Sequence, residues 1–295
     1  MANGLTTVLV TGASGYLGGA VLRALDDLGV ACVATATRSF EPCDLLDAEQ
    51  VRALFARVRP RAVVHCAARV PRDTAGYADA AGAAANVTML RNVLAQPDCR
   101  VVYISSMAVY EGHLPQPVRE SSAQAPRAAY ARGKWDGELA LLARGRTDDL
   151  ALRVPGLFGL PRRSGVLYNA TRAFLTRGTF DLQAAETRWA AMHVDDAAAC
   201  AARAAIIEGS HCKPGVLNVG YDGAFSLPGA VAQLATLCGV DWRPTCAQAT
   251  FAMNLERLEA RLGASPSTFE SRLVELVNTV RGEVLAGVSG DARAC

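Results

Sequence analysis

Short apolar runs rich in β-branched residues alternate along the first half of the chain with longer stretches whose apolar positions recur three and four residues apart. The first pattern predicts buried parallel strands and the second amphipathic helices. Val8-Leu9-Val10-Thr11 is the first such run. Tyr16, Leu17, Ala20, Val21, Ala24, Leu25 and Leu28 then mark one face of a helix that Gly29 stops. Val30 to Ala34 reads as the next strand, followed by a link too short for a crossover helix, which is expected to run extended into Cys43-Asp44-Leu45-Leu46-Asp47. Asp47 and Gln50 are spaced as a capping box for a helix to Val58, which Pro60 ends. Ala62 to Ala68 and Arg100 to Ser106 read as strands apolar on both faces, with an alanine-rich helix from Tyr77 to Ala95 between them. Gly112 to Pro126 is polar and proline-rich, the pattern of a surface loop. Helix resumes from Tyr130 to Glu138, and Leu150 to Val154 is the sixth strand.

Beyond that strand the strict alternation ends. Val166 to Thr176 reads as helix and Thr179 to Leu182 as extended chain. His193-Val194-Asp195-Asp196 opens an alanine-rich helix to Ile207 with Asp195 as its expected cap, and Val216 to Gly220 returns as an edge strand. Ser226 starts another helix, and Ser267-Thr268-Phe269-Glu270 opens the last with a second capping-box pattern. Strands and helices at this cadence predict an α/β fold, a doubly wound parallel sheet of the Rossmann type with a smaller, mostly C-terminal lobe.

Composition narrows the partners. The chain has 295 residues, 51% of them hydrophobic, which suits a substantial core and excludes a disordered chain. A formal net charge of +2, without a basic tail or arginine stripe, argues against nucleic acid. No apolar run approaches the roughly 20 residues of a membrane span, and Met1-Ala2-Asn3-Gly4 lacks the pattern of a signal peptide, so a cytoplasmic protein without membrane association is expected. The nine cysteines are scattered, odd in number and free of C-x-x-C pairs; Cys32, Cys66 and Cys99 fall in apolar runs and read as small buried hydrophobes, with no metal site expected.

The chemistry begins at Thr11-Gly12-Ala13-Ser14-Gly15-Tyr16-Leu17-Gly18, a glycine-rich turn between the first strand and helix. Gly12 permits a sharp turn, Gly15 lets backbone N–H groups approach a pyrophosphate, and Gly18 lets the helix pack close to the strand. The anion would then sit on the helix N-terminus, where Ser14, Tyr16 and Leu17 surround it. On this reading residues 1–160 form a dinucleotide-binding domain to which 190–220 return, and 161–189 with 221–295 form a substrate lobe. The position after the second strand meets the adenine ribose. Arg38, between Thr37 and Ser39, suits a 2′-phosphate and hence NADP, and a solvated loop arginine is the plain alternative. Glu41 or Asp44 folding back to the ribose would favour NAD instead, and Asp44 with Leu45 is expected to cap the adenine end. His65 reads either as a cofactor contact or as a hydrogen-bonded structural histidine. Ser106 ends a strand at the ligand edge of the sheet. Tyr130 and Lys134, four apart on one helix face, can form an acid–base device in which an ammonium lowers a phenol that ordinarily titrates near pH 10.

These residues resemble the extended short-chain dehydrogenase/reductase family, also called the NAD-dependent epimerase/dehydratase family. The matching pieces keep the family's order: the glycine turn, Asp44-Leu45, His65-Cys66-Ala67-Ala68, Asn86, Ser105-Ser106-Met107-Ala108-Val109-Tyr110, Tyr130 to Lys134, His193-Val194-Asp195-Asp196 and Asn218-Val219-Gly220. The resemblance implies a catalytic triad of Ser106, Tyr130 and Lys134, with Asn86 supporting the lysine through a water and Ala67 and Ala68 beside the cofactor. It also implies a nucleotide-linked sugar as substrate and a homodimer formed through the helices bearing Asn86 and Tyr130. Gly156 stands where many sugar epimerases have asparagine, and Ala108 where a threonine is common; both changes weaken a 4-epimerase assignment. The length, the short link from Arg38 to Asp44 and the stretch Glu111-Gly112 to Glu120 are similar to the dTDP-4-dehydrorhamnose reductase branch. A reductase is therefore the leading reading. A 4-epimerase and a non-catalytic dinucleotide-binding regulatory protein remain alternatives. Arg162, Arg163, Arg172 and Arg188 are candidate diphosphate contacts or ordinary surface arginines.

Overall fold

The computed structural model describes residues 7–71, 73, 75–112, 114–122, 124, 126–182, 188–207, 215–244 and 249–287. Its centre is a seven-stranded, wholly parallel sheet. In chain order the strands are β1 (Val8–Thr11), β2 (Cys32–Ala36), β3 (Glu41–Pro42), β4 (Ala62–His65), β5 (Arg100–Ser106), β6 (Leu150–Val154) and, after a two-stranded excursion, β9 (Gly215–Asn218). They lie in the order β3-β2-β1-β4-β5-β6-β9. The order reverses between β1 and β4, and in open sheets of this kind ligands bind at such a switch point, beyond the strands' carboxyl ends.

Side chains alternate across the sheet and divide the core in two. Val8, Val10, Val64, Val102, Ile104, Leu150 and Leu152 face α1 (Tyr16–Asp27) and α6 (Val194–Ile206). Leu9, Val63, Val101, Tyr103 and Ala151 face the layer of α2 (Ala48–Val58), α3 (Ala80–Leu94) and α4 (Ala129–Ala143). The first layer continues into the C-terminal lobe, built from α5 (Val166–Arg177), α7 (Leu227–Cys238), α8 (Glu256–Leu262) and α9 (Phe269–Leu285). Phe269 is its centre, 1% exposed, with the rings of Phe158, Trp189, Tyr221 and Phe225 within 5.1–6.1 Å.

Several boundaries differ from the sequence reading, each for a local reason. Asp47 caps α2 through Glu49 and Gln50 N–H, but the Gln50 side-chain Oε1 accepts from Asp44 N–H rather than closing a box on Asp47. The helix expected from Tyr77 begins only at Ala80, because Asp79 caps it by accepting from Gly82 N–H, and Tyr77 lies in a preceding 3₁₀ turn. His193, not Asp195, caps α6: its ring nitrogen accepts from Asp195 N–H, and Asp195 sits in the first turn. The box opening α9 is Thr268 with Ser271, one residue beyond the expected pair. Thr179 to Leu182 joins no strand. The periodicity missed two strands, β7 (Gly156–Phe158) and β8 (Ala191–His193), which pair with each other, because each is three residues long. The segment read as a surface loop is partly internal: Val118 is fully buried, its N–H donating to Ala252 O and its carbonyl accepting from Asn254 N–H.

Candidate active site

The glycine turn is shaped by close backbone approach. Gly12 has φ +64°, and a Cβ there would lie 2.7 Å from the Ala67 backbone; a Cβ on Gly18 would lie 2.2 Å from Gly12 O. These two glycines bring α1 and the end of β4 onto the turn. Gly15 differs: a Cβ there meets only Gly12 O, at 3.1 Å, and both Ser14 and Gly15 are exposed. No side chain caps the N-terminus of α1, and its first turn carries no carboxylate. Backbone N–H groups without partners at a helix start, on an open face, are the chemistry a pyrophosphate needs, so these residues fit a dinucleotide.

Around the turn, Thr11 Oγ1 lies 2.9 Å from His65 Nδ1 and accepts from Ala67 N–H at 3.3 Å. His65 is therefore a structural histidine. Burial, with Lys134 nearby, pushes its pKa down to about 3 and keeps it neutral. Arg38 is exposed in the turn after β2. The Glu41 carboxylate instead accepts from Arg57 at 2.6 Å, and the exposed Asp44 accepts from Leu46 N–H at 3.0 Å. Leu45 is buried, with its carbonyl held by Asn92.

Beside it, the ends of β5 and α4 bring three groups together. The Ser106 hydroxyl faces the Tyr130 phenol closely enough to pull its pKa down. Ser106 Oγ also accepts from Ala108 N–H at 3.1 Å, which fixes its rotamer. Lys134, 4% exposed, donates from Nζ to Ile104 O at 2.7 Å, and Nζ lies 5.8 Å from the Tyr130 ring centroid. Burial lowers the lysine to about 8, against the opposing pull of Cys66 and Glu138. Burial, then the neighbouring Tyr77, holds the Tyr130 phenol above its ordinary value, and the Ser106 hydroxyl offsets this only in part. The Tyr77 ring meets Tyr130 edge-on at 5.6 Å, a neighbour the sequence reading did not foresee.

Asn86 is buried, but its amide takes both backbone groups of Arg69, accepting at 2.7 Å and donating at 3.0 Å. It fixes the loop after β4. Among the candidate arginines, Arg162 lies 4.3 Å over the Tyr16 ring, whose hydroxyl donates to Gly159 O at 2.5 Å. Arg163 pairs with Glu283 at 2.9 Å, and Arg188 donates to Gly112 O at 2.5 Å. The sequence reading missed a buried ion pair, Glu138 with Arg153, beneath the site. Its signal was a charged residue inside an otherwise apolar strand, facing a carboxylate one helical turn past Lys134.

A family model described as "RmlD substrate binding domain" matches residues 6–205. Methionine adenosyltransferase 2 subunit beta of Rattus norvegicus is 36% identical over 162 residues, 52% of this chain and 47% of that protein. A Streptomyces antibioticus protein named "Probable dTDP-4,6-dihydroxy-2-methyloxan-3-one 4-ketoreductase" is 36% identical over 165 residues, 54% of each chain. The matched region thus spans about half the length of these curated relatives. Among solved structures, UDP-glucose 4-epimerase of Thermotoga maritima with UDP-glucose aligns with a TM-score of 0.76 at 20% identity, over 94% of this chain and 99% of that one. dTDP-glucose 4,6-dehydratase of Bacillus anthracis in complex with NAD aligns with a TM-score of 0.75 at 18% identity, over 92% and 96%. At such identities the likeness speaks to the fold. Among the described residues no helix is long and apolar enough to cross a membrane.

Proposed function

The chain belongs to the RmlD substrate binding domain family, and from that premise we propose that it is an NAD(P)-dependent reductase acting on the keto group of a nucleotide-linked sugar. The observation that carries the reading is the meeting of Ser106, Tyr130 and Lys134 at the carboxyl end of β5, next to an uncapped helix N-terminus. Gly12, Ser14, Gly15, Tyr16, Leu17 and Gly18 would hold the pyrophosphate, Ala67 and Ala68 the middle of the dinucleotide, Asp44 and Leu45 its adenine end, and Lys134 the nicotinamide ribose. A bound nicotinamide supplies hydride. Ser106 donates to the ketone oxygen and fixes it. Tyr130 gives its proton to the oxygen as negative charge develops there, and the Lys134 ammonium, while charged, favours the resulting phenolate. A phenol held above its ordinary pKa starts the reaction protonated, as an acid must.

NADP is the proposed cofactor: Glu41 and Asp44 are engaged with Arg57 and Leu46, which leaves Arg38 as the charged group at the ribose position. Residues 161–189 and 221–295 are proposed as the lobe that selects the sugar, and a homodimer through α3 and α4 as the assembly. The name of the rat relative favours a second reading, a subunit that binds dinucleotide and serves another protein. The test adds reduced cofactor and a dTDP- or UDP-linked 4-keto sugar to the purified protein and follows cofactor absorbance. Stoichiometric oxidation with formation of the hydroxy sugar supports reduction. Binding without oxidation across these ketones refutes it in favour of the subunit reading, and interconversion of 4-epimers without net consumption identifies an epimerase.

A further inference from the structure

Among the described residues Arg153 is the largest side chain that the fold buries completely, at 1% exposure, and its partner Glu138 is at 0%. Arg153 Nε and Nη2 donate to the two Glu138 oxygens at 2.9 and 2.6 Å, while Nη1 donates to the Tyr110 hydroxyl at 2.7 Å and to Glu120 O at 3.1 Å. Desolvating two charges consumes most of what their attraction returns, and an apolar pair of similar volume is often at least as stable. Stability alone is therefore a weak account of this pair.

Its placement supplies a better one. Tyr130, Lys134 and Glu138 are spaced four apart and form one stripe along α4. Each meets a different one of three consecutive residues at the end of β5: Tyr130 faces Ser106, Lys134 donates to Ile104 O at 2.7 Å, and Glu138 accepts from Ser105 Oγ at 2.5 Å. Arg153 stands beside Ser105 in the β5–β6 register and neutralises the carboxylate. Its other contacts tie down Tyr110 and Glu120, on the segment that leaves the site just after Ser106.

We propose that the Glu138–Arg153 pair is a positioning device, which through Ser105 and α4 holds Ser106 and Lys134 in the geometry the reaction needs. The proposal rests on the reading of Ser106, Tyr130 and Lys134 as the reacting groups. A buried carboxylate can take the Ser105 hydroxyl and a guanidinium at once, in directions fixed by the planar fork of the arginine. An apolar contact would fill the same volume without fixing the direction of either strand or helix.

The test uses the full chain with Arg153→Met, the double variant Glu138→Leu/Arg153→Met, and Ser105→Ala. Arg153→Met leaves a buried carboxylate unpaired and is expected to melt well below wild type. The double variant removes both charges and should regain most of that loss. It should still show kcat lowered by about tenfold to a hundredfold, as for small misplacements of reacting groups, with KM little changed. Ser105→Ala removes one rung without stranding a charge and should lower kcat in the same direction. Amide exchange provides a readout that needs no substrate: Ile104 to Tyr110 should exchange faster in the double variant while β1 and β4 keep their protection. A double variant with wild-type kcat, or one with wild-type exchange over Ile104 to Tyr110, would overturn the positioning role. If wild type reduces none of the ketones, the functional reading fails and the exchange measurement still decides this one.

Discussion

Gly15 and Gly18 stand three residues apart in one turn, yet the geometry assigns them different jobs, which alanine substitution should separate. Gly15 has φ −82° and ψ 170°, a conformation alanine adopts freely, and its added Cβ would touch only Gly12 O, at 3.1 Å. As the N-cap of α1, alanine is worse than glycine by about 1 kcal/mol, so Gly15→Ala should remain folded. The methyl would stand where an anion meets the first-turn N–H groups. Losing one charge-assisted hydrogen bond costs about 1.5–3 kcal/mol, so dinucleotide affinity should fall roughly tenfold to a hundredfold. Gly18→Ala places a Cβ 2.2 Å from the Gly12 carbonyl oxygen and 2.8 Å from its carbon, both backbone atoms in a turn already held by Gly15 N–H. Helix and turn must separate, at an overpacking cost of about 1–3 kcal/mol. Urea unfolding would report that loss, and cofactor fluorescence titration would report the affinity of Gly15→Ala. If Gly15→Ala binds both dinucleotides as wild type does, the turn is not the pyrophosphate site. An unchanged urea midpoint for Gly18→Ala would refute the packing argument.

Three further outcomes are expected. Tyr130→Phe should keep its cofactor affinity but lose about two to four orders of magnitude in turnover on the authentic ketone, since it deletes the proton donor; near-wild-type turnover excludes Tyr130 from that role. Arg38→Ala should weaken NADPH roughly tenfold or more and leave NADH nearly unchanged, as measured by paired dissociation constants; an equal effect on both, or a wild-type preference for NADH, removes the 2′-phosphate reading. His65 has a folded pKa of about 3 against an ordinary 6.5, so the unfolded chain takes up the proton first as pH falls. Its stabilising contribution is complete above about pH 6.5 and is lost toward pH 3, with about 2 kcal/mol gone by about pH 5. Urea midpoints at the two pH values, compared with those of His65→Gln, check this, and a histidine NMR titration midpoint near 6.5 contradicts it.

The sheet was legible because a parallel strand covered on both faces is apolar along most of its length, and β1, β4, β5 and β6 carry runs of Val, Leu, Ile, Tyr and Ala broken only at their ends and at Arg153. The glycine turn, Ser106, Tyr130 and Lys134 were legible because each sits at a boundary of such an element. The pair Gly156–Phe158 and Ala191–His193 was not, since three residues give no period to read and their pairing spans more than thirty positions. The cap of α6 was misplaced because Asp195 is the usual capping type. Here it is the buried His193 ring, edge-on to Phe158 at 5.4 Å, that turns its nitrogen to the helix. Asn86 shows a different limit: its position on α3 was readable, but its partner, the Arg69 backbone, is set by how the loop after β4 folds.

The proposed reaction fixes the protonation state in which Tyr130 must start. Reduction begins with a neutral phenol and ends with a phenolate, whereas oxidation of a hydroxy sugar requires the phenolate at the start. Burial and Tyr77 both hold Tyr130 protonated, and Lys134 directs Nζ to Ile104 O while lying 5.8 Å from the phenol ring. At neutral pH the lysine, with a pKa of about 8, carries its charge and eases the phenol only in part. A 4-epimerase would need the same tyrosine to begin as a base, which requires the Lys134 ammonium and a bound nicotinium charge to lower the phenol. It would also need polar contacts to hold the sugar in two orientations, and Ala108 and Gly156 offer no side-chain donor for them. The bare side chains at those two positions are what favours a ketone reductase over a 4-epimerase in the proposed reading.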